Sequence, residues 1–174
     1  MALVRLKQLA QEGATDNQVA TWSDALGIWV PTSKDTGAAK NIFVKFGGNA
    51  TSQVGDYDVV NVLSNGDVSI SGHFPEDFAS IVQMEIIGIP GGTFTDESIE
   101  LLSDYGAVGE LFNTHEGTNL ATLFSGTANT ILQLDVASLF PAAAAGDFCG
   151  IHIDHKSIGT NIGYLGMHLQ YLGL

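Results

Sequence analysis

The sequence predicts an all-β protein, an antiparallel sandwich with a short N-terminal extension. Three observations predict it. From Ile42 onward apolar residues recur with period two in segment after segment, the spacing of strands that bury one face. Gly, Asn, Asp and Pro cluster between those segments as turns. The one helical alternative in this region is Val136–Ala145, where Pro141 and four alanines before Gly146-Asp147 read as a single turn in a crossover.

In chain order, Leu3, Leu6, Leu9 and Ala10 have rough helical spacing and predict a short helix over residues 3–12. At that length it is marginal unless packed on something. Residues 13–31 predict a hairpin, with one strand ending in Trp22, a turn over Ser23–Gly27, and a second strand ending in Trp29 before a stopping Pro31. An isolated two-stranded hairpin is marginal in water, so the two tryptophans need a further surface. Thr32–Lys40 reads as a polar linker. The expected division is therefore an attachment segment and linker over residues 1–40 and a sandwich head over 41–174.

The head opens with Ile42, Val44 and Phe46 alternating with Phe43 and Lys45. A run around Tyr57–Leu63 follows, then the Ser64-Asn65-Gly66 hairpin turn and a strand carrying Val68 and Ile70. Val82, Met84 and Ile86 lie opposite Gln83, Glu85 and Ile87, ahead of the breaker Pro90-Gly91-Gly92. Ile99 and Leu101 alternate with Glu100 and Leu102; Leu132, Leu134 and Val136 alternate with Ile131, Gln133 and Asp135. Cys149, Ile151 and Ile153 alternate with Gly150, His152 and Asp154. In the last segment Leu165, Met167, Leu169 and Tyr171 are expected to face inward, opposite Tyr164, Gly166, His168 and Gln170. About eight strands result, the pattern of a sandwich.

Composition narrows the function. Hydrophobic residues are 45% and charged residues 14% of the 174, enough to bury a core. No apolar run reaches the length of a membrane helix, and Met1–Lys7 lacks the apolar region of a signal peptide. A single cysteine, Cys149, excludes an internal disulfide and fits synthesis in a reducing cytoplasm. The net charge is −13 and unevenly placed: residues 1–46 hold five of the six basic groups, whereas 47–174 hold fifteen acids against Lys156 alone. So acidic a body disfavours nucleic acid and anionic membranes as partners.

Two stretches resemble known proteins. Gly13-Ala14-Thr15-Asp16, Gln18-Val19, Trp22 and Trp29-Val30-Pro31 together resemble an attachment element near the N-terminus of tailed-phage fibre and capsid-decoration proteins. Further on come Phe74-Pro75-Glu76-Asp77-Phe78, Asp104-Tyr105-Gly106-Ala107-Val108-Gly109-Glu110 with Asn113-Thr114-His115, Ala144-Ala145-Gly146-Asp147, and Leu165–Tyr171. In that order they resemble a jelly-roll domain common in phage virion proteins. The resemblance implies a homotrimeric jelly-roll head on a virion, docked to capsid or tail proteins through an apolar N-terminal set: Leu3, Leu6, Leu9, Trp22 and Trp29. The alternatives are a receptor- or glycan-binding tip, for which Tyr105 with Asn113 is the suggestive pair, and a polysaccharide depolymerase.

Catalytic and metal chemistry is not called for. His152-Ile153-Asp154-His155 puts only two potential ligands on one strand face, too few for a structural zinc site. His115 sits in a polar loop and reads as a loop-shaping residue. The carboxylate pairs Glu76/Asp77, Asp96/Glu97 and Asp56/Asp58 do not specify the defined separation that glycoside hydrolysis requires, and calcium-loop spacing is absent. No P-loop, Rossmann or Gly-x-Ser-x-Gly motif occurs, so neither an enzyme nor a cofactor is expected. Cys149 reads as a small buried residue, and Phe74, Phe78, Phe112, Phe124, Phe140 and Phe148 as core or trimer seam.

Overall fold

Strands account for nearly all the regular structure. A computed structural model describes residues 18–23, 28–33, 38–46, 52–117 and 120–174, and the chain falls into two compact units, 1–38 and 39–174.

In the first unit β1 (Gln18–Ser23) and β2 (Ile28–Ser33) form the expected antiparallel hairpin, with Trp22 opposite Trp29. Pro31 does not stop the second strand; it pairs with Ala20 and the strand continues to Ser33. In a two-stranded sheet every strand is an edge, and there a missing N–H is tolerated. The helix expected over residues 3–12 lies outside the described residues.

The second unit contains β3 (Lys40–Lys45), β4 (Ser52–Val54), β5 (Tyr57–Val62), β6 (Asp67–His73), β7 (Phe78–Pro90), β8 (Phe94–Gly106), β9 (His115–Glu116), β10 (Leu120–Gly126), β11 (Leu132–Asp135), β12 (Phe148–His155) and β13 (Ile162–Gly173). The expected linker is shorter than its sequence suggested, because Thr32 and Ser33 belong to β2 and Lys40 already pairs with Tyr171. One sheet runs β11-β7-β13-β5-β4, with β3 also on β13; the other runs β10-β8-β12-β6, with β9 on β8. All pairings are antiparallel. Taking β5, β6, β7, β8, β10, β11, β12 and β13 in turn, the chain crosses between sheets in the order of an eight-stranded jelly roll.

One core lies between the sheets. Ile70, Ile99, Leu101, Ile151 and Ile153 come from one, and Met84, Ile86, Tyr164, Met167 and Leu169 from the other, each no more than 3% exposed. Each large aliphatic buried this way contributes roughly 1.5–3 kcal/mol. The resembling motifs are joints of this frame. Phe74 packs on Phe78 and Phe140, at 4.8 and 5.6 Å between ring centres. Asp147, buried, accepts the Ala144 N–H at 2.8 Å, and Gly146 beside it takes a φ of 80° that favours glycine. The crossover carries the expected turn at Pro141-Ala142, where the Ala143 N–H donates to the Phe140 carbonyl at 3.4 Å, and ahead of it a 3-10 turn over Ala137–Leu139.

Two bulges overturn details of the alternation. Leu165 is the extra residue where β13 passes β7, since Tyr164 pairs with Gly88 and Gly166 with Ile87. Tyr164 therefore turns inward at 2% exposure and Leu165 is left half-buried, the reverse of the strict alternation. Val82 is likewise skipped between Ile81 and Gln83, which leaves it 49% exposed.

Candidate functional site

The outer face of the β6–β12–β8 sheet carries a trough. Along β12 the residues Cys149, Ile151 and Ile153 are buried, so Phe148, Gly150, His152 and Asp154 point outward. Register brings their neighbours into rows: Phe148 between His73 and Gly106, Gly150 between Ser71 and Asp104, His152 between Ser69 and Leu102. Gly150 forms the floor, because a side chain there would find its nearest neighbour only at 3.9 Å, the Ile70 carbonyl.

One end of the trough is walled by the loop after β8. Ala107 N–H donates to Glu110 Oε2 at 2.9 Å, and Thr114 N–H and Oγ1 donate to the Leu111 carbonyl at 3.0 and 2.8 Å. These turns hold Val108, Leu111 and Phe112 at 84%, 75% and 79% exposure. Phe148, 55% exposed, rests against the His73 ring at 5.0 Å. A concavity of about 510 Å³ lies between Phe112, Phe148 and Gly150, and one of about 210 Å³ adjoins it toward His152; both are lined by Ser71, Asp104 and Gly150. His152 Nδ1 is 3.0 Å from Ser69 Oγ, and its Nε2 is 3.7 Å from Asp67. Among the described residues, Asp104 and Ser71 have no side-chain partner, so their hydrogen-bonding capacity is free for something else.

The residues singled out from sequence fall in several places. His152 and Asp154 share the outer face and His155 points inward, as expected. No group of three potential metal ligands exists among the described residues. His115, expected in a loop, instead opens β9 opposite Tyr105. It stacks on the Tyr105 ring at 5.2 Å with its Nε2 3.9 Å from Glu110 Oε2, while Asn113 Nδ2 donates to Glu116 Oε1 at 3.3 Å. Tyr105, however, is 2% exposed, and its hydroxyl accepts the Ala142 N–H at 3.2 Å. The pair Tyr105 and Asn113 is therefore no surface for a sugar. Phe112 and Phe148, expected in core or seam, are exposed in this chain.

Five of the six paired carboxylates are engaged by local contacts. Asp77 binds Lys40 and accepts the Tyr171 hydroxyl at 3.2 Å; those hydrogen bonds hold its carboxyl below the usual range. Glu76 is 3.7 Å from His73. Glu97 accepts the Gly159 N–H at 2.5 Å, Asp96 Oδ1 accepts from Ser125 Oγ at 3.5 Å, and Asp58 accepts from Gln53 at 3.2 Å. Cys149 is buried, and burial pushes its thiol up to about 12, so it is an inert core residue. Of the expected docking set, Trp22 and Trp29 stand at one register position, while Leu3, Leu6 and Leu9 lie outside the described residues. Sequence reading missed the trough, although glycine in the outward phase of β12 and the aperiodic apolar group Val108, Leu111 and Phe112 were its visible traces.

No family model matches the chain, and no curated protein matches it. Solved structures do. A carbohydrate-binding module, CBM36, in complex with calcium and xylotriose aligns over 75% of this chain and 98% of its own, at 21% identity and TM-score 0.38. The structure of infectious bursal disease virus, Gx strain, aligns over 90% of this chain and 37% of its own, at 8% identity and TM-score 0.42. TmCBM61 in complex with β-1,4-galactotriose aligns over 77% and 88%, at 10% identity and TM-score 0.32.

Proposed function

We propose that this protein is a structural component of a phage virion, a jelly-roll head carried on an N-terminal attachment unit and assembled as a homotrimer. The observation that carries the reading is the coincidence of two divisions. The hairpin that resembles a phage attachment element falls in one compact unit, and a complete jelly roll with the virion-type motifs falls in the other. The small hairpin unit supports a docking role, because an isolated two-stranded hairpin is marginal by itself and its register sets Trp22 opposite Trp29, a residue type that commonly anchors interfaces. Exposed apolar side chains on the head, among them Phe43 at 50% and Leu123 at 66%, are surface that neighbouring copies would cover. The partners are then further copies of this chain and capsid or tail proteins of the same particle.

Light scattering on the purified protein should give a trimer mass, and a monomer would remove the assembly. Docking is tested by co-sedimentation with particles lacking the protein. The full chain should pellet, and residues 39–174 alone should stay in solution. Undiminished pelleting of the truncated head would move the docking surface to the jelly roll.

A further inference from the structure

We infer that the trough on the outer face of β6, β12 and β8 is a binding groove for a neutral oligosaccharide, whatever particle or surface carries the head. Its shape suits an extended, shallowly held ligand. From Phe148 to His152 the groove follows four strand steps, about 13 Å at 3.3 Å each, and Gly150 keeps the middle open. Its chemistry has both halves that a pyranose chain requires. Phe148 and Phe112 offer exposed ring faces against which sugar C–H faces pack. Asp104 and Ser71, without a side-chain partner among the described residues, can accept and donate bonds to ring hydroxyls, and a carboxylate acceptor gives the stronger kind. A few convergent polar groups beside apolar faces are the usual make-up of a ligand site.

Charge selects among sugars. Asp104 and Glu110 line the trough, and among the described residues no lysine or arginine does. Uronate, sialyl or sulfated chains would meet repulsion without a counter-charge, whereas an uncharged glycan loses nothing. The same carboxylates argue against a second copy of this chain as the occupant, since it would set acid against acid.

The test titrates the full-length protein with short neutral xylan-, mannan-, galactan- and glucan-derived oligosaccharides, and with an oligouronate, by saturation-transfer NMR and calorimetry. At least one neutral series should bind while the oligouronate does not. Phe148→Ala and Asp104→Asn, both at the surface, should each weaken binding about tenfold or more. Gly150→Val should abolish it by filling the floor, with circular dichroism unchanged. Binding by none of the neutral series, preference for the oligouronate, or affinity indifferent to Phe148→Ala and Asp104→Asn would each overturn the inference. So would a Phe112→Ser variant that lowers the oligomer mass and leaves sugar binding intact, because the rim would then be a seam between copies.

Discussion

Between neutral pH and about pH 5, acid should destabilise this fold through His155. His155 closes β12 inside the core at 1% exposure, and its Nε2 lies 2.7 Å from the Tyr164 hydroxyl. Its Nδ1 has no hydrogen-bond partner. Burial holds the imidazole below its ordinary value of 6.5, and the opposing pull of the Leu63 backbone and the Asp154 carboxylate does not compensate. The neutral form is thus the one that folds. As pH falls through 6.5 the unfolded chain takes up a proton that the core refuses. Stability is therefore complete above that value and drops by about 1.4 kcal/mol per pH unit below it, until the folded form protonates as well. Tyr164→Phe removes the partner of Nε2 and should cost about 1–3 kcal/mol near neutral pH. Urea unfolding of the wild type and of His155→Leu, between neutral pH and about pH 5, isolates the group by slope. The wild type should lose stability more steeply than the variant, whatever their absolute values. Parallel curves would refute the reasoning.

Further outcomes follow from the packing and from the docking reading of the hairpin. Leu169, 3% exposed, should not tolerate Leu169→Asp, which buries an unpaired charge worth several kcal/mol. His168→Ala on the opposite face should be mild in a thermal melt, because Glu85 keeps Gln133 at 3.0 Å; equal damage from the two would mean the register is wrong. Gly166→Ala should destabilise by about 1–3 kcal/mol, since its Cβ would meet the Val44 carbonyl oxygen, a backbone atom, at 2.4 Å. Gly150→Ala, opening onto free space, should be near neutral in the same chemical denaturation series. Trp22→Ala or Trp29→Ala should weaken co-sedimentation with particles while leaving the melting of the 39–174 unit unchanged.

Much of the sandwich was legible because each strand buries one face, and burial writes itself as period two: Ile99 and Leu101 inward and Leu102 outward is a direct reading. The order of strands within sheets leaves no such trace, and the jelly roll came from the ordered motifs instead. Those motifs proved to be turns and ring contacts that fix the corners, such as Asp147 on Ala144 and Phe74 on Phe140. Bulges were invisible. An extra residue at Leu165 shifts the phase by one and carries Tyr164 into the core, yet no residue type announces it. The site was the least legible part, since a trough is made by what is missing at Gly150 and by strands distant in sequence.

The two outer faces of the sandwich differ in a way that decides which one has capacity for a ligand. Across β11, β7, β13 and β3 the polar side chains satisfy each other: Gln133 donates to Glu85 at 3.0 Å, His168 lies 3.9 Å from Glu85 and 3.1 Å from Asn41, and Gln170 donates to Asn41 at 3.3 Å. A ligand there would have to break bonds before making any, so the exchange is close to neutral. Across β6, β12 and β8 the pattern stops halfway. His152 is engaged by Ser69, and Lys156, the sole cation after residue 46, is held by Glu100 at 2.7 Å and by Asp154 at 2.5 Å. Beyond that row Asp104 and Ser71 have no side-chain partner among the described residues, beside the exposed Phe148. Hydrogen bonds made at this end replace only water, and the ring faces gain by losing it. With Lys156 already held by two carboxylates, the trough offers, among the described residues, acceptors and apolar surface but no lysine or arginine, which is the combination that an uncharged, hydroxyl-rich ligand matches.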